Sequence, residues 1–283
     1  MVNDENPSVV QLGRYYDVLL DDWFKRAFQD GKDSKRLLTL FLRDLIPERD
    51  IRDIAYAPQE MTSPYDKGKS IRVDVICTDA RGDRFVVEMQ REKQTSFYER
   101  AIFNSSFSIQ RQLQAGDDYA LKPMYFIGLL QFSLHPKEGR FLYQYNLTER
   151  ENGELMTDKV NYIFLELPKC KGDDNSSELE KFGFAMYHLS EFEDVPKGFE
   201  GEIFDVLFNS TEITNLAPED RVKLLNDMNS ERDTRNQIAY ARKIGWEEGR
   251  EEVARNMISM GLPNDVILKA TGLSPEDISR LKG

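Results

Sequence analysis

The stretch "RVDVICTDARGDRFVVEMQ", Arg72 to Gln90, decides the fold. Two apolar runs flank Asp79-Ala80-Arg81-Gly82-Asp83, which predicts a β-hairpin closed by a three-residue loop with Gly82 in the left-handed conformation. Counting outward from that loop pairs Cys77 with Phe85, Ile76 with Val86 and Asp74 with Glu88. Directly opposed Cβ atoms lie only about 4.5 to 5.5 Å apart, so two carboxylates meet where a sheet ordinarily places apolar groups. Like charges at that spacing repel, and on an internal strand they also lose water. A cation between the acids, a proton retained by one of them, or a different register would each resolve the conflict. A hard divalent ion suits carboxylate and water ligands and takes few protein carboxylates beside substrate phosphates. The period of two places Gln90 on the strand face of Glu88. Glu-x-Gln thus sets an acid beside a neutral amide, an arrangement able to hold a metal-bound water and aim it at phosphorus. By spacing alone, exposed acids on a half-polar edge strand are the commoner explanation, and the order of the surrounding elements shifts the balance.

Upstream, "RYYDVLLDDWFKRAFQD" and "DSKRLLTLFLRDLI" repeat apolar residues at three and four spacing and predict two amphipathic helices. Asp33 or Ser34 is placed to cap the second, and Pro47 to end it. "IRDIAYA", "SIRVDVICT" and "DRFVVEMQ" read as strands. A helix is expected from Ser96, with Ser96 and Glu99 at capping-box spacing ahead of Phe97, Ala101, Phe103, Phe107 and Leu113, and Gly116 closing it. "MYFIGLLQF" is apolar for too long to be an edge and predicts a central strand covered on both faces. "RFLYQYNLTE" and "KVNYIFLEL" add two more strands, with Asn152-Gly153 as a turn. Beyond "KGDDNSS" the pattern is helical, including a long helix from about Ser230 to Met260.

The net charge of −12 argues against coating nucleic acid by bulk electrostatics. The acidity is uneven: Asp66 to Lys122 holds ten basic against nine acidic residues, whereas Lys171 to Met260 holds eleven against twenty. With 40% apolar residues the chain reads as globular, and no apolar run approaches the roughly 20 residues of a membrane span. The polar N-terminus predicts no export signal and a cytoplasmic protein. Cys77 and Cys170 lack zinc-site spacing and are expected to be small buried apolar residues in a reducing compartment.

Helix, short strands carrying Asp then Glu-x-Gln, helix, buried strand: this order resembles the αβββαβ core of the PD-(D/E)xK nuclease superfamily, a mixed α/β sheet flanked by helices. It is more closely similar to the PD-(D/E)xK nuclease family transposases, or recombination-promoting nucleases. The residues that carry the likeness are "DDWFKRAF", Asp74, "VEMQ", "FYERAIF", "AGDDYALKPMYFIGLL" and the tail "GREEVARNMISMGLPNDVILKATGLSPEDISRL". The resemblance implies a Mg²⁺- or Mn²⁺-dependent endonuclease that cuts DNA and is associated with mobile elements, leaving a 5′-phosphate and a 3′-hydroxyl. It implies Asp74 and Glu88 as metal ligands and Gln90 in the place more often held by lysine, where it can hydrogen-bond but supplies no positive charge. Asn104 departs from the pattern, because an aromatic residue is expected there.

Further candidates are Asp21, to orient a metal-bound water, Lys25, to contact a phosphate, and Arg100, to reach the scissile phosphate or to tie down a carboxylate. Solvated or snorkelling side chains explain these positions nearly as well. His135 and His188 read as structural or exposed. The chain divides into a nuclease-like domain over 1–170, a helical extension over 171–245, and the long-helix end with a helix-turn-helix-like tail over 246–283. If that tail reads DNA, Arg280 and Lys282 are the available basic groups, but Glu276 and Asp277 occupy the turn that would enter a DNA groove, which favours docking or homo-oligomer formation over base reading. The rival to the nuclease is a catalytically silent module of the same fold, acting through its helical tail.

Overall fold

The computed structural model describes residues 13–61, 70–114 and 116–282. Seven successive buried residues, Met124–Leu130, form the strand β6, apolar on both faces as a central strand must be. On one side it pairs in parallel with β5 (Arg84–Gln90), which pairs antiparallel with β4 (Val75–Asp79), and β4 with β1 (Ile54–Tyr56). On the other side it pairs in parallel with β8 (Leu155–Glu166), which takes β7 (Leu142–Thr148) antiparallel along the edge. The sheet order is β1-β4-β5-β6-β8-β7, and β2 (Glu60–Met61) with β3 (Ile71–Arg72) makes a separate two-stranded ladder. This is the expected restriction-endonuclease-like α/β architecture.

The hairpin has the predicted register, Cys77 against Phe85 and Ile76 against Val86, and Gly82 adopts φ 85° in its loop. The ladder ends one step before the acids: Val75 pairs with Val87, and Asp74 sits in a bend just outside β4.

The helix α3 (Phe97–Gln110) covers one face of the sheet. Its Phe97, Ala101 and Phe107 pack on Val86, Phe126 and Phe164 of three neighbouring strands, each buried Phe or Val side chain contributing about 1.5–3 kcal/mol. Around α1 (Asp21–Lys25), its π-helical continuation Arg26–Asp30 and α2 (Ser34–Leu45), an aromatic train runs from Phe24 through Phe28 and Phe41 to Phe182. Phe182 belongs to α4 (Glu178–His188), and α5 (Glu202–Thr211) also packs on α2.

Several local expectations change. The first helix begins only at Asp21, because Tyr15, Tyr16, Val18, Leu19 and Leu20 are all buried, which no single helix face allows. Tyr15 instead bridges to Glu212, and the Tyr16 N–H donates to Thr211 O. Neither Asp33 nor Ser34 caps α2; the Ser34 hydroxyl donates to the carbonyls of Gln29 and Gly31. Ser96 makes no side-chain cap, and α3 stops at Gln110, leaving Leu113 and Gly116 beyond it. Cys77 and Cys170 are free and buried, and burial pushes both thiols up to about 12.

Contacts separate residues up to Pro218 from a second unit that starts at Glu219. That unit is built on the long helix α6 (Pro218–Ser259), which starts well before the expected Ser230. In it α7 (Asn264–Thr271) and α8 (Pro275–Lys282) join around Ala254, Ile267 and Ile278, with Gly272 at φ 62° between them. Ser274 caps α8 as its sequence suggests: its hydroxyl accepts from Asp277 N at 3.1 Å. Among the described residues no helix is long and apolar enough to cross a membrane.

Candidate active site

Because side chains alternate along a strand, Glu88 shares the α3 face with Val86, two residues earlier. In the same row across the sheet stand Gly128 and then Phe164. A Cβ on Gly128 would come within 2.9 Å of the Phe164 ring, so the missing side chain at 128 leaves room for that ring. Glu88 is 5% exposed. Its Oε2 accepts from Gln90 Nε2 at 3.1 Å, and its Oε1 accepts from Asn104 Nδ2 at 3.1 Å. The Arg100 guanidinium lies 4.0 Å from Oε2 and donates to the Gln90 side-chain Oε1 at 3.4 Å and to Gln94 Oε1.

Asp74 reaches the same place from the hairpin's other arm. Its Oδ2 accepts from the Met89 backbone N–H at 2.9 Å, taking over the ladder position that β4 vacates. Its own carbonyl accepts from Gln59 Nε2. The acids are therefore neighbours in the register read from the sequence, but Asp74 is a strand-end residue whose side chain replaces a backbone acceptor.

Burial pushes the Glu88 carboxyl up to about 7, and the Asp74 charge adds to the rise; Arg100 and the Asn104 and Gln90 amides oppose it. Asp74 is raised too, by burial first, against the Met89 N–H and the charges of Lys25 and Arg100, with Asp21 adding to the rise. Asp21 and Lys25 of α1 and Arg100 of α3 thus act on Asp74, and Asp74, Gln90 and Arg100 act on Glu88, so groups from α1, the hairpin and α3 meet around the acid pair.

Two nearby desolvated carboxylates, both harder to ionise than in water, fit a divalent cation, which would neutralise them. An ion here would draw on two protein carboxylates, a common complement for Mg²⁺. Among the described residues no group of three or more His, Cys, Asp and Glu side chains is arranged to hold a metal.

Asn104, marked in the sequence only as a departure from the family pattern, was given no role there, and it binds Glu88. Phe97, Ala101 and Ser108 mark the buried face of α3, and an amide spaced among them at position 104 was the available signal. His135, read as structural, binds the buried Glu166. In the tail, Arg280 pairs with Glu251 and Asp277, and Lys282 donates to Asn264, so both basic groups are engaged within their own unit.

The strand order, the flanking helices and an acid pair at the hairpin's open end define a restriction-endonuclease-like fold. Residues 19–241 match the PD-(D/E)XK nuclease family transposase model, and the chain belongs to that family. Residues 247–283 match the Rpn/YhgA-like nuclease family, C-terminal HTH domain. Neither the curated proteins nor the solved structures give a match.

Proposed function

We propose that the chain is a divalent-metal-dependent DNA endonuclease associated with a mobile element. The observation that carries this reading is the convergence of Asp74 and a 5%-exposed Glu88 at one point on the sheet, with an amide and a guanidinium beside them. Asp74 and Glu88 would hold the ion, either Mg²⁺ or Mn²⁺. Such an ion supplies a Lewis acid for the phosphate oxygen and makes water a stronger acid. Arg100 binds a phosphate oxygen and brings the positive charge that Gln90 lacks, while Gln90 holds Glu88 and Arg100 in register. Lys25 contacts the substrate backbone, and Asp21 orients the attacking water. The chemistry belongs to residues 1–170, with 171–245 as a helical extension and 246–283 as a tail for partner or self-association.

Purified protein with supercoiled plasmid and Mg²⁺ or Mn²⁺ is expected to nick or linearise it, and Asp74→Ala and Glu88→Ala are expected to stop this. Equal cleavage by all three would move the activity to another site or a contaminant. The second reading, a silent module, is favoured by the Gln90 amide being turned onto Glu88. It predicts no cleavage with any metal and a complex lost when residues after Gly245 are removed.

A further inference from the structure

Glu88 is gripped by uncharged groups. Among the described residues, its hydrogen-bond donors are two amides, Asn104 on one oxygen and Gln90 on the other, each at 3.1 Å. The guanidinium of Arg100 stays at 4.0 Å and spends its own donors on Gln90 and Gln94. An ionised carboxylate has about four lone-pair sites, so one neutral donor per oxygen fixes the plane of the group and leaves roughly half its accepting capacity open. The residue paired with Glu88 on the next strand is Gly128, which offers no side chain. The helix α3 is therefore the element that supplies the Oε1 contact, through a polar residue on a face that otherwise buries Phe97, Ala101 and Ser108.

We propose that Asn104 is a positioning residue, one that orients Glu88 with a neutral donor so that the full negative charge remains for a divalent cation. A lysine at 104 would also satisfy Oε1, but it would neutralise the acid and compete with the ion. A leucine there would leave Oε1 without its donor and the carboxylate free to turn. The inference rests on the metal-site reading above and goes beyond it by assigning a role to a residue outside the acid pair.

The test is calorimetric titration of Mn²⁺ and Mg²⁺ into the full chain without DNA, together with its Tm, for wild type, Asn104→Leu, Asn104→Lys and Asp74→Ala. Asn104→Leu is expected to weaken Mn²⁺ binding at least fivefold. Asn104→Lys is expected to abolish binding while holding or raising the Tm, a split that a merely structural contact would not produce. Metal affinity within twofold of wild type in either variant overturns the proposal, and the lysine variant decides alone if the leucine variant does not fold. Wild type that binds Mn²⁺ through Asp74 yet leaves plasmid intact removes the nuclease reading and leaves this one standing. Wild-type binding unchanged in Asp74→Ala overturns this one too.

Discussion

Glu88 and Glu166 stand on parallel strands of the same sheet, one strand apart, and both are buried, at 5% and 0% exposure. They are solvated by the protein in opposite ways. Glu166 takes four donors: the His135 backbone N–H and Nδ1 at 3.1 and 2.7 Å, Ser133 Oγ at 2.5 Å and the Lys169 ammonium at 2.8 Å. Burial alone pushes its carboxyl up, but Lys169, Ser133 and His135 together outweigh that and hold it below the usual range. Glu88 has two amides, a guanidinium at 4.0 Å and a second acid nearby, and it rises to about 7. A carboxylate that serves structure is saturated with donors, one of them cationic. Glu88, which the proposed function makes a metal ligand, is held in place and left short of positive charge.

The sharpest way to break this contrast is to neutralise each acid in turn. Glu88→Gln is expected to lower plasmid cleavage on the order of 1,000-fold, about 4 kcal/mol of barrier, while the protein stays as stable or becomes more so; cleavage assays and urea midpoints read the two effects. Glu166→Ala is expected to do the reverse, costing about 3–5 kcal/mol of stability by removing the anion paired with Lys169 and the acceptor of Ser133 and His135, measurable as a fall in urea midpoint. If the two substitutions affected stability alike, the distinction would fail.

Next in size is pH. The folded-state value of Glu88, about 7, lies above its ordinary 4.5, so the folded protein keeps this proton longer than the unfolded chain does. The resulting stability is present below the ordinary value and is lost as pH rises through about 7, amounting to about 3 kcal/mol at most. Asp74, also raised, adds to the same slope. Midpoints measured in chelator are expected to fall between pH 5 and 7.5, and Glu88→Gln to flatten that fall. Glu166 has the opposite sign, because its folded-state value is lowered. Its contribution is present above the ordinary carboxylate range and disappears as pH falls below it.

The smallest effect refines the structural side: Ser133→Ala removes one of four donors and is expected to cost about 1.5 kcal/mol, with cleavage per folded molecule unchanged.

The hairpin register, Gly82 in its loop, the buried central strand and the approach of Asp74 to Glu88 were legible in the sequence, because alternation and turn chemistry act over a few residues. The tail helices and their Ser274 cap were legible for the same reason. Helix starts were not, since the buried run from Tyr15 to Leu20 owes its conformation to partners such as Thr211 and Glu212, roughly 200 positions away in the chain. Gln90 beside Glu88 was legible by the same alternation, but the donors that come from other elements were hidden: Asn104 and Lys169 carry no pattern that names their partner.

The sequence by itself determined the acid pair and its spacing, since both lie within one hairpin whose geometry is local. Only the tertiary structure decided how each buried carboxylate is solvated. That depends on how many donors, and of what charge, distant elements bring to it: α3 gives Glu88 a neutral amide, and the segment after β8 gives Glu166 an ammonium. Desolvation and charge pairing are properties of the assembled surroundings and have no counterpart in the order of residues along the chain.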